Sequence, residues 1–424
     1  MIQAIVDCRA LRGLLLIAAG LAAQFFAAPA ALADTDCTSN FGNSGIAWTG
    51  ESVVIVASTN MVGGGNLYYF WQKTGTGNWH RELVAEANGG TCPGNCTGWC
   101  QLTPWGYLSN AIAWTGDSVI IAAVDQRDGG LYYWWQARGT QPWHQQQIAQ
   151  GPPGCCQFGN VINGQVNPEI LGYVPPSIAW TGKSVVVTAC DRKENLHYWF
   201  QEKFKTTWYH ELVAPTGGCV GEPSIAWTGT TVIIAASCNV GLCYYWQPAG
   251  AGGWNREVVD SAPSASPSIG WNGKAVIISA VAYPTEATST VNYFWQAAGT
   301  RPWHKQQVMA PTSNAWGIAS IAAADDSVLI AAAASPEQPM QNTLNFWWEP
   351  FASNGAWILQ TPGGASNDYT VWTDTRSLAW TGVSAIMSAV TPCGDLHYWW
   401  QKKGSTSWNL QRVVTNPGWP PGTC

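Results

Sequence analysis

Short apolar stretches alternate with glycine-containing turns along most of the chain, and one order of polar and apolar positions recurs seven times. The clearest copy, residues 111–149, reads AIAWTGDSVIIAAVDQRDGGLYYWWQARGTQPWHQQQIA. It contains four strand-length segments: Ala111–Trp114, Ser118–Val124, Leu131–Gln136 and Trp143–Ala149. The Thr-Gly and Asp-Gly-Gly sequences between them are typical of tight turns. The pattern predicts four β-strands per copy and shows no helical periodicity.

The copies follow one another at intervals of 44 to 66 residues, measured between the tryptophans that end the first strand. These are Trp48, Trp114, Trp180, Trp227, Trp271 and Trp380, with Ala323 in the sixth copy. Repeats of this length form stacked units that cannot bury their apolar faces alone. Because an open row of such sheets leaves exposed edges, the seven copies predict a closed ring. Residues 34–424 are therefore predicted to form one all-β, seven-bladed β-propeller with four antiparallel strands per blade. The blades are expected to start near residues 44, 110, 177, 224, 268, 320 and 377.

The third strand has six positions, counted from Leu131 to Gln136 in the copy above, and neighbouring side chains point to opposite faces. Position three is always Tyr or Phe and position five is Trp or Phe, which indicates packing between blades. Position six is Gln or Glu, and we expect it to satisfy backbone groups. Position two varies and is mostly polar, as expected for a partly exposed or ligand-facing residue. Its residues are Tyr68, Tyr132, His197, Cys243, Asn292, Asn345 and His397.

The fourth strand opens with a tryptophan in every copy, followed by a residue that varies. Two interpretations are open: a tryptophan that packs between blades, or a sugar platform whose neighbour bonds a hydroxyl group. The candidate ligand-binding pairs are Trp79/His80, Trp143/His144, Trp303/His304, Trp254/Asn255 and Trp408/Asn409. We expect the Trp-His pairs to bind best because an imidazole both donates and accepts hydrogen bonds. The sixth copy has Ile358 after Trp357, so blade 6 is expected to have lost its site.

Residues 1–33 have the features of a secretory signal peptide. Arg9 and Arg12 precede an apolar stretch, Leu14–Phe26, and Ala31-Leu32-Ala33 suits cleavage. A membrane anchor is the alternative, but Gln24 interrupts the apolar stretch and no second hydrophobic span follows. The chain is therefore predicted to be secreted, without insertion into a membrane.

Of the thirteen cysteines, Cys8 lies in this leader, which leaves twelve and favours disulfide bonds in an exported protein. The candidate pairs are Cys37–Cys424, which would join the ends of the ring, Cys238–Cys243, which bracket a short hairpin loop, and Cys190–Cys219. The other six, Cys92, Cys96, Cys100, Cys155, Cys156 and Cys393, allow 15 pairings. The spacing of Cys92, Cys96 and Cys100 also suits a metal, but export and the lack of a nearby histidine favour disulfides. These cysteines lie mostly in two insertions, near residues 86–110 and 150–176, that we expect to be stapled surface loops.

Charge and motifs narrow the function classes. Only 10% of the residues are charged, the net charge is −6, and no basic run exists, which argues against nucleic acids and anionic membranes. The acidic residues are scattered, and neither a Gly-x-Ser-x-Gly nor a His-Glu-x-x-His motif is present. The sequence therefore predicts no catalytic residue, no metal and no cofactor.

The repeat has a characteristic order of elements: small residue–Trp–x–Gly, an apolar strand, a Gly–x–Leu–aromatic strand, and Gly–x₃–Trp–polar. This order resembles that of the bacterial seven-bladed propeller lectins that bind fucose and related sugars. It extends over residues 44–414. The resemblance implies shallow sugar sites between adjacent blades, a glycan partner such as a fucose-like monosaccharide, and no catalysis. Two alternatives are a protein-interaction or structural propeller and a glycoside hydrolase, which would need converging carboxylates. The sugar and the oligomeric state are left open.

Overall fold

The computed structural model describes residues 40–60, 65–86, 107–125, 128–137, 142–151, 161–162, 165–166, 175–285, 288–297, 300–311, 315–316, 319–335, 343–351, 355–362, 377–390 and 394–414. These residues form β-strands and turns and contain no helix, so the predicted all-β class is confirmed. A search of the same residues finds no helical segment long and apolar enough to cross a membrane. The predicted signal peptide, residues 1–33, lies outside them.

Seven antiparallel sheets form the seven blades of a propeller, each built from strands that are consecutive in the chain. Blade 1 contains β1 (Asn40–Trp48), β2 (Ser52–Asn60), β3 (Leu67–Lys73) and β4 (His80–Ala85). Blade 2 contains β5 (Tyr107–Trp114), β6 (Ser118–Asp125), β7 (Leu131–Ala137) and β8 (His144–Ala149). The small hairpin of β9 (Val161–Ile162) and β10 (Gln165–Val166) lies in the second insertion. Blade 3 contains β11 (Ser177–Trp180), β12 (Ser184–Cys190), β13 (Leu196–Glu202) and β14 (Tyr209–Ala214).

The remaining four blades follow the same plan, except that the first strand of blade 6 is divided. Blade 4 contains β15 (Ser224–Trp227), β16 (Thr231–Cys238), β17 (Gly241–Pro248) and β18 (Asn255–Asp260). Blade 5 contains β19 (Ser264–Trp271), β20 (Ala275–Thr285), β21 (Thr288–Ala297) and β22 (His304–Gln307). Blade 6 contains β23 (Ala315–Trp316) and β24 (Ser320–Ala324), both paired with β25 (Ser327–Ser335), then β26 (Thr343–Pro350) and β27 (Ile358–Gln360). Blade 7 contains β28 (Leu378–Trp380), β29 (Ser384–Val390), β30 (Leu396–Lys402) and β31 (Asn409–Val414).

The Trp-Thr-Gly phrase forms the turn between the first two strands. In blade 2, the amide of Ser118 donates to the side chain of Thr115 at 2.9 Å, and Gly116 has a φ of 97°. A left-handed backbone of this kind favours glycine, and the threonine side chain satisfies an amide that the ladder leaves unpaired. The same threonine contact recurs in blades 1, 3, 4 and 7, so the most regular part of the repeat is a turn signal.

Neighbouring blades meet through the tryptophan that opens each fourth strand. Its indole packs edge-on against the position-three aromatic ring of the preceding blade, with ring centroids 4.8–5.4 Å apart and interplanar angles of 69–81° at all seven interfaces. In ring order the pairs are Tyr69–Trp143, Tyr133–Trp208, Tyr198–Trp254, Tyr244–Trp303, Tyr293–Trp357, Phe346–Trp408 and Tyr398–Trp79. Each interface also has its own apolar cluster, so the core is a set of seven inter-blade layers.

The buried amide at position six of the third strand bonds to a side chain of the preceding blade. The sequence had led us to expect a bond to the backbone instead. In blade 2, Gln136 Nε2 donates to Glu82 Oε2 at 2.9 Å, and equivalent bonds of 2.6–3.3 Å occur at five further interfaces. The partner is always the fourth residue of the fourth strand, counted from its tryptophan. Because buried polar groups need a partner, this bond also fixes the register of one blade against the next.

The ring closes between blades 7 and 1 by the same contacts as elsewhere. Trp79 packs on Tyr398 with centroids 5.4 Å apart, and Gln72 Nε2 donates to Gln411 Oε1 at 3.2 Å. The Ser44 hydroxyl lies 3.0 Å from that of Ser388. The described strands of blade 1 all come from residues 40–85 and those of blade 7 from residues 378–414, so the two ends of the chain share no described sheet. Side-chain packing therefore closes the ring, together with hydrogen bonds from the Phe41 amide to the Gly394 carbonyl at 3.4 Å and from the Ser377 hydroxyl to the Ser44 carbonyl at 2.6 Å.

Two of the three predicted disulfides are confirmed. Cys190–Cys219 joins β12 to the loop before blade 4, and Cys238–Cys243 crosses the hairpin of β16 and β17, with Cα–Cα distances of 5.8 and 6.0 Å. Cys37 and Cys424 lie outside the described residues, as do the remaining cysteines, so the ring-closing disulfide stays a prediction.

If packing closes the ring, Trp79→Ala and Trp208→Ala should destabilise the protein to a similar extent. Both indoles are half-buried, and each packs on a buried tyrosine of the preceding blade. We expect each variant to lose about 3 kcal/mol or more of unfolding free energy, as is typical when a packed tryptophan is truncated. Denaturant titration of both proteins measures this. A much smaller loss for Trp79→Ala would show that this contact does not hold blades 7 and 1 together.

Candidate functional site

A cleft of about 450 Å³ opens between blades 4 and 5, on the side of the ring where the first-to-second and third-to-fourth strand connections lie. It is called the 4/5 cleft below. Blade 4 contributes Tyr244 and Trp246 from β17 and Glu257 from β18, while blade 5 contributes Trp271, Gln296 and the loop before β22. The cleft is thus assembled from residues that lie far apart in the sequence and meet only because the blades are adjacent.

Aromatic rings form the apolar part of the 4/5 cleft. Tyr244 and Trp246 occupy positions three and five of the third strand, so they point to the same face, and their rings stack with centroids 5.1 Å apart. Tyr244 is buried, whereas Trp246 and Trp271 remain partly exposed. An indole held parallel to a buried ring offers a flat apolar surface to a small molecule.

A fixed charge pair lies beside these rings. Arg301 Nε lies 3.2 Å from Glu257 Oε1 in an ion pair, and Gln296 Nε2 donates to Glu257 Oε2 at 3.3 Å. Both carboxylate oxygens are therefore oriented by the protein. The Glu257 side chain is only 17% exposed, whereas that of Arg301 is 72% exposed and presents its other donors to solvent.

The fourth-strand tryptophan at this interface, Trp303, is one of four such residues whose buried indole Nε1 has no acceptor among the described residues, together with Trp79, Trp208 and Trp357. At the interfaces of Trp143, Trp254 and Trp408, the indole Nε1 donates to the Glu or Gln side chain of the preceding blade at 2.8–3.1 Å. At the Trp303 interface, the equivalent carboxylate, Glu257, is paired with Arg301 and accepts from Gln296.

The predicted Trp-plus-polar pairs are split between two clefts. The tryptophan of each pair directly precedes the fourth strand and the polar residue is the first of that strand, and the two side chains face opposite sides of the blade. Trp79, Trp143, Trp254, Trp303 and Trp408 all pack on the preceding blade, while the exposed residues His80, His144, Asn255, His304 and Asn409 face the following one. The structure therefore does not bring the members of a pair together at one pocket.

The three histidines of these pairs stack on their own blade. His80, His144 and His304 lie nearly parallel to the position-five indoles Trp71, Trp135 and Trp295, with centroids 3.9, 5.1 and 4.9 Å apart. In blades 4 and 7 an asparagine takes this place, and Asn255 and Asn409 donate instead to the carbonyl groups of Trp246 and Trp400 at 3.4 Å. Among the described ring contacts, no fourth-strand ring stacks on Trp246 or Trp400.

Sequence reasoning missed Trp246, Glu257 and Arg301, although one signal for them exists. Arg301 stands two residues before Trp303, the fourth-strand tryptophan of blade 5. The other copies have Gly, Gln or Thr at this position. A single arginine at one position of a repeat marks the blade that differs. Its carboxylate partner could not be read in the same way, because the partner lies on the preceding blade.

Comparison with known proteins supports the fold. No protein-family model and no curated protein matches the chain. The structure is similar to the BP39L lectin of Burkholderia pseudomallei, with 15% identity, a TM-score of 0.56, and coverage of 89% of this chain and 99% of that one. It is also similar to the β-propeller domain of the Trilobed protease of Pyrococcus furiosus, which has an open velcro topology, with 7% identity, a TM-score of 0.51 and coverage of 89% and 99%. An acylaminoacyl peptidase matches at 7% identity with a TM-score of 0.50, over 90% of this chain and 53% of that one. At these identities the likeness shows the propeller fold alone, so function has to be argued from the site.

Position two of the third strand, which the sequence predicted to be partly exposed or ligand-facing, is buried in five of the seven blades and partly exposed in blades 2 and 3. Tyr68, Cys243, Asn292, Asn345 and His397 are all buried. The half-buried members bind the preceding turn: the Tyr132 hydroxyl donates to Asp128 Oδ2 at 2.6 Å, and His197 Nε2 lies 3.1 Å from Asp191 Oδ2. In blades 2 and 3 this residue therefore joins the third strand to the turn that precedes it.

Burial of His397 makes the fold sensitive to acid. Burial lowers the pKa of its imidazole from 6.5 to about 4, with nearby Asp395 opposing this change and Arg412 adding to it. As the pH falls, the unfolded chain binds the proton first, because its histidine has the higher pKa. The stabilisation is therefore complete above pH 6.5 and is lost as the pH falls towards 4.

We expect the unfolding free energy to fall by about 2 kcal/mol between pH 7.5 and pH 5 through His397 alone. In His397→Asn this part of the pH dependence should disappear, and asparagine is the residue that blades 5 and 6 carry at the same position. Denaturant unfolding at a series of pH values measures the slope. An equally steep slope in the variant would show that the buried imidazole is not responsible.

Proposed function

We propose that the protein is a carbohydrate-binding propeller and that the 4/5 cleft holds a pyranose unit. The observation that supports this most is the combination of a flat indole with a fixed arginine–carboxylate pair in one open cleft. A pyranose presents an apolar C–H face and a rim of hydroxyl groups, so it needs both kinds of surface. The proposed activity is binding without a chemical step.

Trp246 is the proposed platform for the apolar face of the sugar. Its ring is held by Tyr244, and the residue across from it on β18 is Asn255 rather than a stacking histidine. This assignment moves the platform from the tryptophan that opens the fourth strand to the tryptophan at position five. It also reverses the expected order of the blades, because in blades 1, 2 and 5, which carry the Trp-His pairs, the histidine already stacks on the position-five indole.

Arg301 and Glu257 are the proposed hydroxyl-binding groups. A guanidinium donates through a rigid fork and a carboxylate only accepts, so together they can bond two adjacent hydroxyl groups in opposite senses. Since Glu257 is already oriented by Gln296, little conformational freedom is lost when a sugar binds.

A fucose-like sugar is the proposed ligand class. A 6-deoxy sugar carries a methyl group where other hexoses carry a hydroxymethyl group, and the partly exposed indoles of Trp246 and Trp271 form the accessible apolar surface of the cleft. Their contact with a methyl group would favour it over a hydroxyl group, which would lose hydrogen bonds to water. The lectin character of the structurally similar BP39L protein agrees with this proposal.

Secretion is proposed together with this function. Two disulfides within the described residues are compatible with an oxidising compartment, as is the predicted leader. Glycans are then the expected partners at a cell surface or in the surrounding medium.

Arg301→Ala should lower the affinity for methyl α-L-fucoside about tenfold or more, because a hydrogen bond to a charged group is lost. Asn255→His should also weaken binding, since the new imidazole would stack on Trp246 as His80 stacks on Trp71. Titration calorimetry of the mature protein measures both effects.

Arg412→Ala is the matched control. It removes another half-exposed arginine that pairs with a carboxylate, Asp395, at 3.5 Å on blade 7. Its affinity should equal that of the parent. Equal binding by parent and Arg301→Ala, or an equal loss in Arg412→Ala, would contradict the assignment of the 4/5 cleft.

A further inference from the structure

One loop position requires a left-handed backbone, and blade 3 fills it with a phenylalanine. The position is the third residue after the position-six amide, in the connection between the third and fourth strands. Blades 1, 4 and 7 have glycine there, Gly75, Gly250 and Gly404, with φ values of 80°, 76° and 78°. Blade 3 has Phe204 with a φ of 64°.

Folding alone does not explain this phenylalanine. A side chain in the left-handed region is strained, because its Cβ approaches the backbone, and glycine avoids the strain. Burial does not offset it here, since Phe204 is 90% exposed, the most exposed large apolar residue in the described chain. Strain that folding does not require is a reason to look for a function at that residue.

Phe204 lies beside the interface of blades 2 and 3. The preceding residue, Lys203, has its Nζ 5.0 Å from the centroid of the Phe204 ring and 2.7 Å from Asp117 Oδ2 of blade 2. The same Nζ is 5.8 Å from the ring of Trp180, the residue equivalent to Trp271 of the 4/5 cleft. Gln146 of blade 2 also donates to the backbone carbonyl of Thr206, so the loop is attached to the neighbouring blade at two points.

Phe204, Lys203 and Asp117 form a surface at the edge of the interface between blades 2 and 3, called the rim below. The rim repeats the chemistry of the 4/5 cleft with different residues. In the cleft, Trp246 lies with the pair Arg301–Glu257, and at the rim Phe204 lies with the pair Lys203–Asp117. The ammonium is neutralised by its carboxylate, which makes the rim a poor match for an anionic membrane. A ring next to one donor group and one acceptor group matches a neutral sugar.

We propose that Phe204 is a second stacking platform, which binds one pyranose unit of an oligosaccharide at the rim between blades 2 and 3. Lys203 and Asp117 bond the hydroxyl groups of that unit. This rests on the proposed carbohydrate-binding function and extends its ligand class from monosaccharides to oligosaccharides. Blade 7 contains a natural comparison, because Lys403 pairs there with Asp325 at 2.9 Å while Gly404 replaces the ring.

The test compares Phe204→Gly and Phe204→Trp with the parent in the mature protein. The probes are methyl α-L-fucoside and a set of fucose-containing tri- and tetrasaccharides, titrated by calorimetry. Phe204→Gly should lower the affinity for at least one of the oligosaccharides about threefold to tenfold, the range expected for one lost aromatic contact. Phe204→Trp should retain that affinity, and binding of the monosaccharide in the 4/5 cleft should not change in either variant. Amide exchange of residues 203–207 should slow when the oligosaccharide binds.

Stability is the second readout. Phe204→Gly should unfold at the same temperature as the parent or slightly above it, and Gly404→Phe should unfold about 1–3 °C lower, because it introduces the strain. A fall of more than about 3 °C in Phe204→Gly would show that the ring is structural and would overturn the proposal.

The remaining outcomes separate this proposal from the function on which it rests. If the parent binds the monosaccharide and Phe204→Gly binds every oligosaccharide as the parent does, the platform is wrong and the proposed function stands. If the parent binds neither probe, both proposals fail.

Discussion

One indole contact recurs at every interface between blades, within the apolar cluster that each interface has. The tryptophan that opens a fourth strand packs edge-on against the position-three ring of the preceding blade at all seven interfaces. A four-stranded sheet of this length cannot bury both of its faces alone, so the contacts at these interfaces turn seven weak units into one core. The same pair of rings meets between blades 7 and 1, which share no described strand.

This use of the tryptophan decides where a ligand can bind. Both the indole between blades and the position-five indole are half-buried at most interfaces, but the first packs against a ring of the preceding blade, whereas the second stacks on rings of its own blade. Whether that second ring is available then depends on one residue of the fourth strand. A histidine stacks on it in blades 1, 2 and 5, and an asparagine bonds to the backbone in blades 4 and 7. The 4/5 cleft adds the Arg301–Glu257 pair, so it differs chemically from the other interfaces although the repeat is the same.

The fold could be predicted from the sequence because its signals lie within the repeat. The turn threonines and the period-two alternation predict the strands, and the number of copies predicts the number of blades. The site could be predicted only in part. Trp303 and His304 look like one binding pair in the sequence, but the side chains of adjacent extended residues point to different interfaces. Trp246, Glu257 and Arg301 come from two blades and meet only once the ring is assembled. Phe204 looks ordinary in the sequence, and only its positive φ and its exposure distinguish it from an unremarkable loop residue.

The central claim is that sugar binds on the position-five indole of the 4/5 cleft. The most direct measurement is a crystal structure of the mature protein soaked with methyl α-L-fucoside. The account predicts a sugar ring stacked on Trp246, with hydroxyl groups within hydrogen-bond distance of Arg301 and Glu257. A sugar bound instead at His80, His144 or His304 with the 4/5 cleft empty, or no bound sugar between any blades, would contradict it.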